Sequence, residues 1–311
     1  FHSKLKNGQR CSAAEAFLFP IVERKNLKII TKAQVEKINF KNDRAENVVF
    51  WKKGKRFFVS AKKEIILSSG ALSSPQILQR SGVGRKEDIL PHAIDLIKEL
   101  PGVGQNLQDH LDFALAYKTR NKDVFGLAPK GLISLLKNIF RWKRDGTGMI
   151  SSPFAEGAAF IKTKLDEDRP DVQLHFVVAI LDDHVRKLHL GYGYSCHICA
   201  LRPYSRGSVR IKDKNPLSDP LIDPNYLSDE RDMATLIKGT QIAEKILKAP
   251  ALSKYRHKEL FGVKKNMTEK DWERHIRKRA DTIYHPVGTC KMGKDENSVV
   301  NERLNIKHLM S

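Results

Sequence analysis

The sequence predicts a mixed fold, part α/β and part α+β. Three observations point to it. Residues 65–84 read as strand, turn and helix; the stretch before them is rich in strand-like runs; and the tract after about Leu111 alternates strand-like runs with amphipathic helices. A strand that ends in a small-residue turn and enters a helix is how α/β proteins present backbone amides to a ligand.

The elements follow in order. Leu27 to Ile30 and Val35 to Phe40 read as strands, and Asn47 to Trp51 with Arg56 to Ser60 as a hairpin around Lys52-Lys53-Gly54-Lys55. The apolar run Ile65-Ile66-Leu67 reads as a buried parallel strand. In the segment that follows, Gly70 to Gly84, Ser73 or Ser74 can cap a helix, Pro75 suits its first turn, and Ser81-Gly82-Val83-Gly84 ends it. Further strand-like runs occupy Phe113 to Tyr117, Gly157 to Ile161, Val172 to Ile180, Tyr194 to Leu201 and Ser208 to Ile211. Gly131 to Arg144 is an amphipathic helix with Leu132, Leu135, Leu136, Ile139 and Phe140 on one face. Asp232 to Lys248 is another, with Leu236, Ile237, Ile242 and Ile246 inward, and Thr268 to Asp271 resembles a capping box opening a helix to about Ala280. Strands backed by helices on one side suggest an α+β domain.

Composition narrows the function classes. A chain of 311 residues with 41% hydrophobic and 30% charged residues suits a packed protein of about two domains. No apolar stretch approaches the roughly 20 residues of a membrane span. The net charge of +20 raises a polyanion-binding surface. The basic residues are scattered and not interleaved with aromatics, however, so they read as a solvated surface without specific nucleic-acid binding. Four cysteines are too few for a disulfide scaffold. Cys196-His197-Ile198-Cys199 has metal-ligand spacing but no second pair to close a zinc site, and a strand there would point Cys196 and Cys199 to opposite faces, so no metal is expected.

Taken whole, Gly70-Ala-Leu-Ser-Ser-Pro-Gln-Ile-Leu-Gln-Arg-Ser-Gly-Val-Gly84 resembles the second signature of the glucose-methanol-choline (GMC) oxidoreductases, FAD-dependent alcohol oxidoreductases. Tyr284-His-Pro-Val-Gly-Thr-Cys-Lys-Met-Gly293 resembles the family's catalytic-histidine segment, in a version like that of an insect, glucose dehydrogenase-like branch. Gly102-Val-Gly-Gln-Asn-Leu-Gln-Asp-His110 and Arg202-Pro-Tyr-Ser-Arg-Gly-Ser-Val209 match two more family stretches, and all four fall in family order.

The resemblance implies the remnant of an FAD-binding Rossmann-like domain plus a substrate domain with a large antiparallel sheet backed by helices. It divides the chain into a partial FAD-binding region at 1–112, a substrate-binding region at 113–204 and a truncated C-terminal domain at 205–311. It implies FAD as cofactor, a small-molecule alcohol as substrate, and secretion by analogy with insect relatives. His285 takes the catalytic position. Alcohol oxidation moves a hydride to the flavin and a proton to a base, and imidazole, with a pKa of about 6.5 when free, suits that task. Pro286 would hold His285 extended, and Gly288 would let the isoalloxazine ring approach. Val35, Gly70, Ala71 and Asn106 are the implied cofactor contacts, while His110 and Arg206-Gly207 read as structural.

The chain starts at Phe1 and contains no Gly-x-Gly-x-x-Gly, the family's opening fingerprint. The expectation is therefore a fragment, lacking that fingerprint and the C-terminal tail with a second active-site residue. A non-catalytic family member that binds FAD weakly or not at all stands beside the enzyme reading at this stage.

Overall fold

The computed structural model describes residues 5–152, 154–182 and 187–309. In chain order its main elements are β1 (Gln34–Lys41), β2 (Arg44–Lys52), β3 (Lys55–Ser60), α1 (Gly70–Arg80), β4 (Leu111–Thr119), α2 (Pro129–Asp145), β5 (Ala155–Ile161) and β6 (Val172–Val177). There follow β7 (Gly191–Ala200), β8 (Ser208–Arg210), β9 (Leu221–Asp223), α3 (Glu230–Leu247), β10 (Lys258–Glu259), α4 (Glu269–Arg279) and β11 (Asp281–Thr282). These sort into two compact units, each drawn from separated stretches. One comprises the chain up to Lys28, His110–Arg202 and Glu230–Ile283; the other comprises Ile29–Asp109, Pro203–Asp229 and the chain from Tyr284 onward.

The first unit is an antiparallel sheet backed by helices, as the sequence predicts. Its strand order is β5-β6-β7-β4-β10, with β11 also pairing with β4 and Gly126–Leu127 with β7. The register sets Cys196 opposite Leu115 and Ile198 opposite Phe113. Because side chains alternate across a strand, Phe113, Leu115, Tyr117, Tyr194, Cys196 and Ile198 share one face. That face carries the helices: Phe113 meets the Trp272 ring of α4 edge-on, with centroids 6.4 Å apart. On α3, a Cβ at Gly239 would lie 3.0 Å from methyls of Ile198 and Val172. The opposite face carries Asp112, Ser195 and His197.

The boundaries of α3 and α4 follow their signals closely. α4 opens on the expected capping box: the Asp271 amide donates to Thr268 Oγ1 at 3.2 Å, and the Thr268 amide to Asp271 Oδ2 at 3.1 Å. In α3, Leu236 and Ile237 face inward as expected, whereas Ile246 is exposed and Met233, Ala243 and Leu247 complete the buried stripe.

Helix α2 departs further. It forms where the periodicity places it, but of the expected apolar face Leu132, Leu135, Leu136 and Phe140 are exposed and only Ile139 is half-buried. Its inward stripe is Gly131, Ser134, Asn138 and Trp142, fixed by hydrogen bonds from the Met149 amide to Asn138 Oδ1 (2.9 Å) and from Trp142 Nε1 to the Gly8 carbonyl (2.6 Å). Polar bonds at the contact outweighed the periodicity.

The second unit contains the sheet β1-β2-β3 and helix α1, with β8 and β9 as a separate antiparallel pair. The β2–β3 hairpin closes through Lys53 and Gly54, both at positive φ (51° and 72°), which matches the twist of the strands it joins. Leu78, Val83, Leu100, Val103 and Val299 form its buried core, joined by half-buried Phe40, Leu67 and Cys290.

Two expected strands are absent. Leu27 to Ile30 and Ile65 to Leu67 are irregular, and Ile66 is largely exposed. Parallel strands exist only where neighbours pair their amides and carbonyls, and among the described residues no strand lies beside either run.

Helix α1 also begins earlier than expected. It starts at Gly70 with Ser69 as its N-cap, which places Pro75 in the helix interior rather than in the first turn. Proline has no N–H, so the carbonyl of Ala71, four residues back, loses its helical donor. The Thr289 hydroxyl supplies one instead, at 2.5 Å.

The last turn of α1 anchors the unit. The Ile38 amide of β1 donates to Ser81 Oγ (2.8 Å), Arg80 Nε donates to the Glu36 carbonyl (2.9 Å), and the Ile211 amide donates to the side-chain oxygen of fully buried Gln79 (2.8 Å).

Removing the donor at Thr289 should be costly. Thr289→Val is expected to lower stability by about 1–2 kcal/mol in denaturant titration, because the carbonyl of Ala71 is left without a partner. In a Pro75→Ala background, where the restored amide satisfies that carbonyl, the same change should cost less than half as much. Equal costs in both backgrounds would remove this role from Thr289.

Candidate active site

In the second unit, segments far apart in sequence are joined by backbone pairing. The Gln108 amide donates to the Val287 carbonyl (2.9 Å), the Val287 amide returns the bond (2.8 Å), and the Gly104 amide donates to the Thr289 carbonyl (2.9 Å). Leu107 and Gly207 exchange a second reciprocal pair, both at 2.9 Å. With Thr289 holding the carbonyl of Ala71, one cluster unites the segments containing Gly70, Asn106, Gly207 and His285.

His285 stands at the rim of this cluster with its side chain exposed. Its position is set from below: its amide donates to Asp109 Oδ1 at 2.9 Å, and Tyr226 OH donates to the other oxygen of the same buried carboxylate at 2.5 Å. Tyr284, immediately before it, has φ 63°, a left-handed conformation costly for a bulky residue and maintained only by surrounding bonds. Asp109 and Tyr226 are supporting residues that the sequence did not single out. Asp109 lies inside a recognised motif, but only the fold shows which amide its carboxylate receives.

Asn106 is bonded to the segment that carries His285, with its side chain turned into the cluster: Nδ2 donates to the Gly288 carbonyl at 3.1 Å. Gly288 has φ 96°, and a Cβ there would sit 2.3 Å from the Asn106 carbonyl oxygen. Its missing side chain makes room for the Asn106 loop of this same chain.

Gly70 and Ala71 lie at the N-terminus of α1. Gly70 is exposed at φ 80°, and no atom lies within 4 Å of where its Cβ would begin. Ser69 makes no side-chain cap bond. The 11-residue helix thus starts without a side-chain cap beside an exposed glycine, a terminus that suits an anionic or polar group.

Val35 is placed apart. It lies on β1 opposite Phe50, at the strand held by the C-terminal end of α1, about 15 Å along the helix from Gly70. A groove of about 530 Å³ opens beside it, lined by Lys32, Gln34, Trp51, Lys53 and Leu217.

The first unit has a polar site of its own. Beside Asp112 and His197, where the end of α4 reaches the sheet, a cavity of about 310 Å³ is lined by these two with Asp182, Lys278, Arg279 and Asp281, among others. His197 Nδ1 and Asp112 Oδ2 are 2.6 Å apart, and Arg279 donates to Asp182 Oδ1 at 2.6 Å. Burial disfavours the charged imidazole, but the charge and hydrogen bond of Asp112 outweigh it, and the pKa of His197 is raised.

Ser195 Oγ lies 3.4 Å from His197 Nε2, which completes a serine–histidine–aspartate order. This is not a nucleophile: the hydroxyl is wholly buried and donates to the Ala179 carbonyl at 2.9 Å. Cys196 and Cys199 alternate across β7, and burial pushes the Cys196 thiol up to about 12.

With this geometry in hand, comparison with known proteins identifies the family. Models described as GMC oxidoreductase match residues 1–112 and 203–310, so the chain belongs to the GMC oxidoreductase family. It is 43% identical over 310 residues to an alcohol dehydrogenase [acceptor] of Pseudomonas putida, covering 98% of this chain and 55% of the relative. It is 37% identical over 303 residues to an oxygen-dependent choline dehydrogenase of Cronobacter sakazakii, covering 95% and 53%. The crystal structure of pyridoxine 4-oxidase from Mesorbium loti matches with a TM-score of 0.83 and 27% identity, over 98% of this chain and 56% of that one. The chain thus spans about half the length of the curated relatives it matches.

Two substitutions test the geometry. Gly288→Ala adds both backbone strain and a collision with the Asn106 carbonyl, and should lower stability by about 2–4 kcal/mol in thermal or chemical denaturation. His197 binds its proton more tightly when folded than unfolded. Its pair with Asp112 therefore stabilises fully below the ordinary histidine pKa and loses that contribution as pH rises through the raised folded value. Thermal melts should show His197→Gln costing about 1–3 kcal/mol near pH 5.5 and distinctly less near pH 9. A cost independent of pH would exclude the charged pair.

Proposed function

We propose that this chain is part of an FAD-dependent oxidoreductase that oxidises the CH–OH group of a small-molecule alcohol, with His285 as the proton acceptor. One observation carries the reading: motifs dispersed from Gly70 to Thr289 are bonded into one cluster, and an exposed imidazole stands at its rim. Membership of the GMC family supports the same chemistry. FAD, when bound, supplies the hydride acceptor that no side chain can provide.

The protein's own residues have the remaining tasks. His285 takes the hydroxyl proton on its imidazole, at a position fixed because Asp109 grips its amide and Tyr226 holds Asp109. Gly70 and Ala71 offer the uncapped start of α1 to the cofactor's polar middle. Asn106 shapes the loop beside His285, and Val35, at the far end of α1, is assigned a backbone contact to the adenine. In this reading 1–112 is the FAD-binding region, 113–204 the substrate-binding region and 205–311 the C-terminal domain. The wording of Tyr284 to Gly293 is the ground for placing the chain on an insect, glucose dehydrogenase-like branch.

The test is a flavin-loaded preparation compared with His285→Ala. The variant should keep the flavin absorbance spectrum and lose about 10²–10⁴-fold in kcat/KM for alcohols. Undiminished turnover would remove His285 from the chemistry. A folded chain that takes up no flavin would favour a non-catalytic family member.

A further inference from the structure

Helix α2 is amphipathic in the reverse sense to a helix that packs on a core. Its inward stripe recurs every three to four residues as Gly131, Ser134, Asn138 and Trp142, and the contacts there are small and polar. A Cβ at Gly131 would collide with the Gly126 carbonyl at 2.1 Å, the Met149 amide donates to Asn138 Oδ1 at 2.9 Å, and Trp142 Nε1 is held by the Gly8 carbonyl. Rotating the helix to bury its leucines would break each of these.

The other side presents Leu132, Ile133, Leu136 and Phe140, exposed by 60, 56, 51 and 72%, with Leu135 beside them at 38%. Five large apolar side chains on one helix face mark an interaction surface rather than scattered exposure.

We propose that α2 lies flat on an anionic phospholipid bilayer, with Leu132, Ile133, Leu136 and Phe140 entering the headgroup–acyl boundary. Charge complementarity selects this occupant. Lys137, Lys143 and Arg144 are exposed on the helix, and its one acidic residue, Asp145, is already paired with Arg144 at 2.8 Å. The chain as a whole carries +20. Acidic headgroups neutralise such a rim, whereas a second copy docking face to face would bring two like-charged rims together.

The length also fits. Seventeen residues make a helix of about 25 Å, and no helix among the described residues is long and apolar enough to cross a membrane, so the protein would rest on the surface. The role would place the protein where apolar alcohols concentrate, and it does not depend on which alcohol is oxidised.

The experiment is flotation of the full chain with vesicles of phosphatidylcholine alone or with about one-third phosphatidylglycerol. The wild-type chain should float with the anionic vesicles. Leu136→Ser with Phe140→Ser should reduce its partition about tenfold or more, with circular dichroism unchanged because both side chains are exposed. Lys137→Glu with Arg144→Glu should reduce binding to the anionic vesicles in the same way.

Three outcomes would overturn the proposal. The wild type could fail to float. The serine variant could float as well as the wild type, which would leave net charge alone as the cause. Or the wild type could be a dimer that the serine substitutions dissociate, without vesicle binding, which would make the face a protein interface.

Discussion

A single missing hydrogen organises the candidate active site. Pro75 inside α1 leaves the Ala71 carbonyl without its helical partner, and Thr289, arriving from the far end of the sequence, donates to it. From Thr289 the chain runs back through backbone pairs with Gly104 and Gln108 to His285, whose amide is bound by Asp109. At buried Thr289 and Gly104 an unpaired group would be costly. The imidazole therefore stands on a scaffold of main-chain bonds, and Tyr284 and Asn106 can be held at positive φ because that scaffold leaves them no alternative.

The first unit solves a different problem, keeping one face of a sheet dry and the other polar. Alternation along β4 and β7 sends Phe113, Leu115, Tyr194 and Ile198 to the helices, and Asp112, Ser195 and His197 to the other side. The charged pair there is tolerated because each partner is hydrogen-bonded and about a fifth of the His197 side chain remains accessible. Helix α2 departs from this division of apolar inside and polar outside, since its polar bonds face the protein and its leucines face out.

Much was legible in advance because the signals were local. The capping box of α4, the hairpin closed by Lys53-Gly54 and the alternation of β4 and β7 depend on residues within a turn or two of each other. The bringing together of His285, Asn106 and Gly70 was legible only through the family motifs. What escaped was decided by distant partners. Ile65 to Leu67 needed a neighbouring strand, Pro75 needed a donor from Thr289, and Gly288 needed the position of the Asn106 carbonyl.

The sequence by itself determined most of the helices and strands and the family, because periodicity and motifs are written along the chain. Only the tertiary structure decided that Asp109 and Tyr226 fix His285, that Asp112 and His197 meet in a cavity, and that α2 turns its leucines outward. Those outcomes rest on hydrogen bonds between residues up to 176 positions apart, whose geometry no local pattern encodes.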